Sequence, residues 1–163
     1  MKYSDCPTIT ASTTIKATAA DVWALVSDIS LPVAHSNELQ AVEWIGDVNA
    51  GALGAQFRGQ NANAAIGAWE TTSIVTKWDP GRVFEWAVGD PNHPSASWRF
   101  TITPMAGGVE LEQWFQIGPG PSGLSPAIAA VPDKEERILT RRLESQQVNM
   151  QANLDAIKDA LEG

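Results

Sequence analysis

Across residues 134–162 the chain runs without a glycine or a proline, while Leu139, Leu143, Gln146, Met150, Leu154, Ile157 and Leu161 recur at steps of three or four. That spacing predicts one long amphipathic helix with a single buried stripe. A lone helix cannot bury its own stripe, so the chain before it must supply the covering surface. Apolar and polar residues alternate over 39–45, 55–60, 69–78, 82–88, 95–103 and 109–117, with turn sequences such as Asp79-Pro80-Gly81 between them. Period two marks strands, and the short separators predict an antiparallel meander. Phe84, Trp86 and Val88, then Trp98, Phe100 and Ile102, then Val109, Leu111, Phe115 and Ile117 each fall on one face, so the sheet has a dry side and a wet side.

The start of the chain completes the pattern. After a tail over 1–8, Ile9, Thr13 and Ile15 mark a further strand over 9–17. Thr18 then stands three residues before Asp21, a hydroxyl cap ahead of Val22, Trp23, Leu25 and Val26, which predicts a short helix over 19–28. Pro32 breaks it, leaving room for one more helical turn over 33–38. Residues 118–133 are crowded with proline and glycine yet carry Leu124, Ile128 and Val131, and are expected to form a packed loop without regular structure. The expected architecture is α+β over 1–163 as one domain: a seven-stranded antiparallel sheet, two short helices after the first strand, and one long closing helix.

Charge and composition exclude several functions. With 19 acidic against 11 basic residues the formal charge is −8, a field that repels phosphate backbones, so no nucleic-acid partner is expected. The single cysteine, Cys6, permits neither an internal disulfide nor a multi-cysteine zinc site. Residues 1–7 lack a basic, then apolar, leader pattern and no stretch is long and apolar enough to span a bilayer, so the protein is expected to be cytoplasmic with no integral membrane segment. A homodimer remains open. Gly118-Pro119-Gly120-Pro121-Ser122-Gly123 matches G-x-G-x-x-G, but Pro119 and Pro121 remove donors that a pyrophosphate needs, and no helix opens directly after it. His35 and His93 lie in turn sequence without ligand spacing, and no G-x-S-x-G elbow is present. No metal or cofactor is expected.

The seven tryptophans say more. Trp86 and Trp98 share the dry face with Phe84 and Phe100, and Trp44 joins them beside Val42, whereas the parity of Trp114 puts it outside. So much aromatic surface against one long helix means either a solid aromatic core or a cavity. Polar residues fall near the same face. Gln113 interrupts an apolar run, and Arg142, Gln146, Asn149 and Asn153 follow one another along the helix, Arg142 either facing inward or bordering the stripe.

Four segments carry a family resemblance: Ala20-Asp21-Val22-Trp23-Ala24-Leu25-Val26-Ser27-Asp28-Ile29, Gly54-Ala55-Gln56-Phe57-Arg58-Gly59, Trp78-Asp79-Pro80-Gly81-Arg82-Val83-Phe84-Glu85-Trp86 and Pro104-Met105-Ala106-Gly107-Gly108-Val109-Glu110-Leu111. In wording and element order the chain resembles the SRPBCC, or START-like helix-grip, superfamily of lipid-transfer START domains, birch-pollen-type allergens and bacterial polyketide cyclase/dehydrase-like proteins. The resemblance implies a curved sheet around the last helix and a cavity for a hydrophobic or aromatic, lipid- or polyketide-like molecule. It makes Arg58 with Asn61 the candidate carbonyl or carboxylate anchor, and the weak catalytic candidates if the chain is a cyclase or dehydratase. Phe57, Trp69, Trp86, Trp98 and Phe100 would be walls, and Gln113, Gln146 and Asn149 supporting polar groups. No inward His–Asp or Tyr–Arg pair supplies an acid and base, which favours a carrier or sensor over an enzyme. A protein-interaction module around Trp114 and Ile128 is the third reading.

Overall fold

A computed structural model describes residues 1–47 and 50–163. Val48 and Asn49, in the separator after the second strand, lie outside the described residues. Seven strands form one sheet: β1 (Thr8–Ile15), β2 (Leu39–Trp44), β3 (Gln56–Asn63), β4 (Gly67–Asp79), β5 (Val83–Val88), β6 (Ala96–Met105) and β7 (Gly108–Ile117). Their order is β1-β7-β6-β5-β4-β3-β2, every neighbour antiparallel, so β2 to β7 form the expected meander and β1 closes onto its last strand. The hairpin after β4 turns on Gly81 at φ +81, with Arg82 N–H donating to the Asp79 carbonyl at 2.9 Å. Only glycine takes that left-handed backbone without strain.

Helix α1 (Ala19–Val26) starts where the sequence places it, with Thr18 Oγ1 accepting from Asp21 N–H at 3.1 Å. Leu31–Ala34 makes a single 3₁₀ turn with Pro32 at its start. The segment expected to lack regular structure instead holds helix α2 (Leu124–Ala130) and a 3₁₀ turn, Pro132–Lys134. Pro126 is compatible with α2 because it lies in the first turn, where a backbone N–H has no helical partner to lose. The long helix α3 (Glu135–Glu162) follows.

Helix α3 packs chiefly on β1, and also on β7, α1 and α2, burying Leu139, Met150, Leu154 and Ile157 completely. Each such side chain contributes roughly 1.5–3 kcal/mol relative to exposure. Val22 and Val26 of α1 join the same core with Ile15, Val109 and Leu111. The N-terminal tail is tied down: Tyr3 donates from its hydroxyl to the Gly120 carbonyl and from its backbone N–H to Glu135 Oε1.

Two bulges correct simple parity. Pairing slips between Val75 and Lys77, so Val75 and Trp78 both reach the concave face, and between Leu39 and Ala41, so Leu39 and Val42 do too. This concave face and α3 enclose the site.

Candidate functional site

Because α3 leans toward the β1 edge, the concave face of β3 to β6 is only partly filled, and a cavity of about 420 Å³ remains there. Its aromatic wall follows from cross-strand pairing. Trp86 of β5 faces Trp98 of β6, their rings stacked at 6.2 Å and 14°, and Trp98 faces Phe115 of β7 at 4.4 Å. Phe57 lies 5.9 Å from Trp86, and Phe100 6.1 Å from it. Trp69 stands opposite Asn61 in the β3–β4 pair, so both reach the cavity. The end of the sheet where β3, β5 and β7 finish adds Ile66, Val88 and the start of α2, and Ile66, 38% exposed, reaches solvent as well.

The opposite wall is polar. Arg142, Gln146, Asn149 and Asn153 lie on one face of α3, and all four line the cavity, the last three at 3%, 6% and 4% exposure. Arg142 donates to Glu38 Oε1, which also accepts from Asn63 Nδ2 at 3.0 Å. Glu38 is buried just before β2, so this carboxylate fastens three elements together at the rim of the cavity. Asn149 Oδ1 accepts from the Asn37 backbone at 3.4 Å. Gln113 projects from β7 between Leu111 and Phe115, and at 2% exposure is as buried as its apolar neighbours.

Nine of the ten expected binding residues therefore line one cavity: Phe57, Asn61, Trp69, Trp86, Trp98, Phe100, Gln113, Gln146 and Asn149. Arg58 does not. Phe57 and Gly59 face inward, so Arg58 between them points to the wet face, paired with Glu43 at 2.9 Å and Glu70 at 3.3 Å. It is no cavity anchor, and Asn61 is left as the inward member of the two catalytic candidates. The mostly buried charged side chains at the cavity are instead Glu38 and Arg142, while Asp28 and Glu70 meet it at its exposed edge. Arg142 belonged to the inward-or-border row in the sequence, while nothing in the pattern around Glu38 sets it apart from a solvated carboxylate.

The remaining motifs sit elsewhere. Trp114 lies outside with the Arg99 guanidinium 4.4 Å above its ring. Trp23, Trp78 and Phe84 make an edge-on cluster, Trp23 and Trp78 4.9 Å apart. His35 and His93 are exposed. After the glycine–proline loop a helix does open directly, contrary to expectation, since α2 starts at Leu124 with Gly123 as its cap; but the N–H groups of Gly118 and Gly120 are spent on the carbonyls of Ser95 and Pro94, leaving them unavailable to a phosphate. Among the described residues no group of three His, Cys, Asp or Glu could hold a metal ion, and no helix is long and apolar enough to cross a membrane.

Comparison with known proteins adds the following. Residues 7–162 match the family model described as polyketide cyclase / dehydrase and lipid transport. No curated protein matches the chain. Among solved structures, the Polyketide_cyc-like protein Cgl2372 from Corynebacterium glutamicum is 30% identical, with a TM-score of 0.65 over 95% of this chain and 91% of that one. The di-domain ARO/CYC StfQ from the steffimycin biosynthetic pathway matches 95% of this chain but 50% of its own, at 15% identity and a TM-score of 0.69. Ara h 8.0201 matches at 12% identity and a TM-score of 0.57, covering 93% of this chain and 97% of its own. The last two share the helix-grip fold.

Proposed function

Because the chain belongs to the polyketide cyclase / dehydrase and lipid transport family, we propose that its cavity binds a hydrophobic or aromatic small molecule, lipid- or polyketide-like, and that the protein is a carrier or sensor of it. The observation that carries this reading is the partly filled concave face, where Trp69, Trp86 and Trp98 surround about 420 Å³ that a solid aromatic core would have closed. That volume is within the range of small-molecule sites, and ring stacking on an aromatic wall gives affinity without demanding one particular ligand.

A carrier needs no acid–base pair; among the described residues of the lining Glu38 and Arg142 are engaged with each other, Glu70 with Arg58, and Asp28 with Ser30. The cyclase or dehydratase alternative would have to act through Asn61, Arg142 and the carboxamides by folding its substrate into a reactive pose, without Arg58.

Native mass spectrometry of freshly purified protein tests the proposal, with extraction and identification of anything released on denaturation. A co-purifying apolar molecule is the expected result. An apo mass, followed by no tryptophan quenching with aromatic polyketides, flavonoids or fatty acids, would overturn it. Conversion of a poly-keto mimic at high protein concentration would move the assignment to the enzyme.

A further inference from the structure

Two atoms in the cavity wall are left without partners. Gln113 Oε1 and Asn153 Oδ1 are buried, and neither has a hydrogen-bond partner among the described residues. An unpaired buried amide oxygen has lost its bonds to water and gained none in return, so both sites favour any occupant that restores a bond. Both side chains are buried, and Asn153 follows Arg142 by eleven residues, about 16 Å along the axis of α3, well apart from the Glu38–Arg142 pair.

Charge restricts the occupant further. Arg142 is the one cationic side chain among the described residues of the lining, and Glu38 already holds it. Glu70, also at the lining, is turned toward Arg58, and Asp28 accepts from Ser30 at the exposed edge. A carboxylate ligand entering this space would lose its hydration and meet no unpaired cation. A neutral hydroxyl loses far less. It both donates and accepts, so it matches a carboxamide whichever way the amide is turned, whereas a carbonyl oxygen could only accept.

From the orphaned Gln113 and Asn153 amides and the neutralised rim, we propose that the cavity selects uncharged ligands that carry a hydroxyl group on the buried end of an aromatic or polycyclic body, and discriminates against carboxylates. The inference rests on the ligand-binding function proposed above and narrows its chemistry.

The test uses three anthraquinones substituted at the same ring position, methyl, hydroxymethyl and carboxylate, titrated against the full chain by tryptophan fluorescence. The hydroxymethyl compound should bind about tenfold more tightly than the methyl compound, the gain expected from one or two buried hydrogen bonds, and at least tenfold more tightly than the carboxylate. Gln113→Leu and Asn153→Leu should each reduce the preference for hydroxymethyl over methyl to about twofold. Equal affinities of wild-type protein for methyl and hydroxymethyl, or a carboxylate that binds as well as hydroxymethyl, would overturn the hydroxyl subsite while leaving the cavity function standing. Preference retained in both leucine variants would also overturn it. Binding of none of the three would remove the cavity reading and the subsite with it.

Discussion

Arg58 and Arg142 carry the same charge in opposite surroundings: Arg58 points to the wet face of β3, and Arg142 reaches the cavity from α3. Arg58 lies in exposed pairs with Glu43 and Glu70 that screening makes worth little. Arg58→Ala should therefore change stability by less than about 1 kcal/mol and leave the affinity for a cavity-bound anthraquinone within about twofold, read by denaturation and fluorescence titration. A several-fold loss would return Arg58 to the site. Arg142 is mostly buried against Glu38. Arg142→Met strands that carboxylate and should cost about 3 kcal/mol, whereas the double variant Glu38→Leu/Arg142→Met should recover most of the loss. A double variant as unstable as the sum of the singles would show that the two residues are not coupled. The sequence allowed Arg142 to be considered but not Arg58 to be dismissed, because the assignment needs the strand's register and the burial of Phe57 and Gly59, and adjacent residues such as Phe57 and Arg58 cannot share a face. Glu38 was invisible for a different reason: its partners Asn63 and Arg142 come from distant segments, and no local spacing announces them.

At the scale of elements, what the sequence showed well was anything with a period. The seven strands, α1 and α3 appear within a few residues of their expected positions because alternation, a hydroxyl cap and a stripe at three and four are local signals. Helix α2 is not announced by composition: its segment is rich in proline, but Pro126 occupies the first turn, which tolerates it. The bulge between Val75 and Lys77 was equally hidden, since it is fixed by pairing with β5. Close packing between β1 and β7 gives one prediction here. A Cβ added at Gly108 would stand 2.1 Å from the Ile15 carbonyl oxygen, so Gly108→Ala should destabilise the protein by about 2 kcal/mol in chemical denaturation, and an unchanged midpoint would refute the contact. The far end of α3 gives another. The hydrogen bond from Lys158 to Glu162 at 2.7 Å, helped by the Lys16 backbone, holds the Glu162 carboxyl below its ordinary value of 4.5. A lowered carboxyl pKa stabilises the folded end above the ordinary value, and the contribution is lost as pH falls through the lowered one. In an NMR titration Glu162 should protonate below 4.5 and the last turn of α3 should lose helical shifts over the same range; in Lys158→Ala the midpoint should return toward 4.5.

On the scale of the whole molecule, the cavity is a consequence of where one helix rests. Helix α3 spends its apolar stripe on β1 and β7, and the aromatic side chains of β3 to β6 face a space that α3 closes only with carboxamides and Arg142. A ligand that fills this space binds the folded state alone, so it must raise stability by mass action: at a concentration one hundred times its dissociation constant the gain is about 2.7 kcal/mol, or roughly 5–10 °C in a chain of this size. The same geometry divides the tryptophans. Trp69, Trp86 and Trp98 line the cavity, while Trp114 lies on the outer face against Arg99. An anthraquinone that raises the melting temperature should therefore quench wild-type and Trp114→Phe protein by the same absolute amount, and Trp86→Leu or Trp98→Leu by visibly less. If instead the quenching disappears with Trp114, the ligand is sitting on the outer face, and the outer-surface interaction reading gains what the cavity loses.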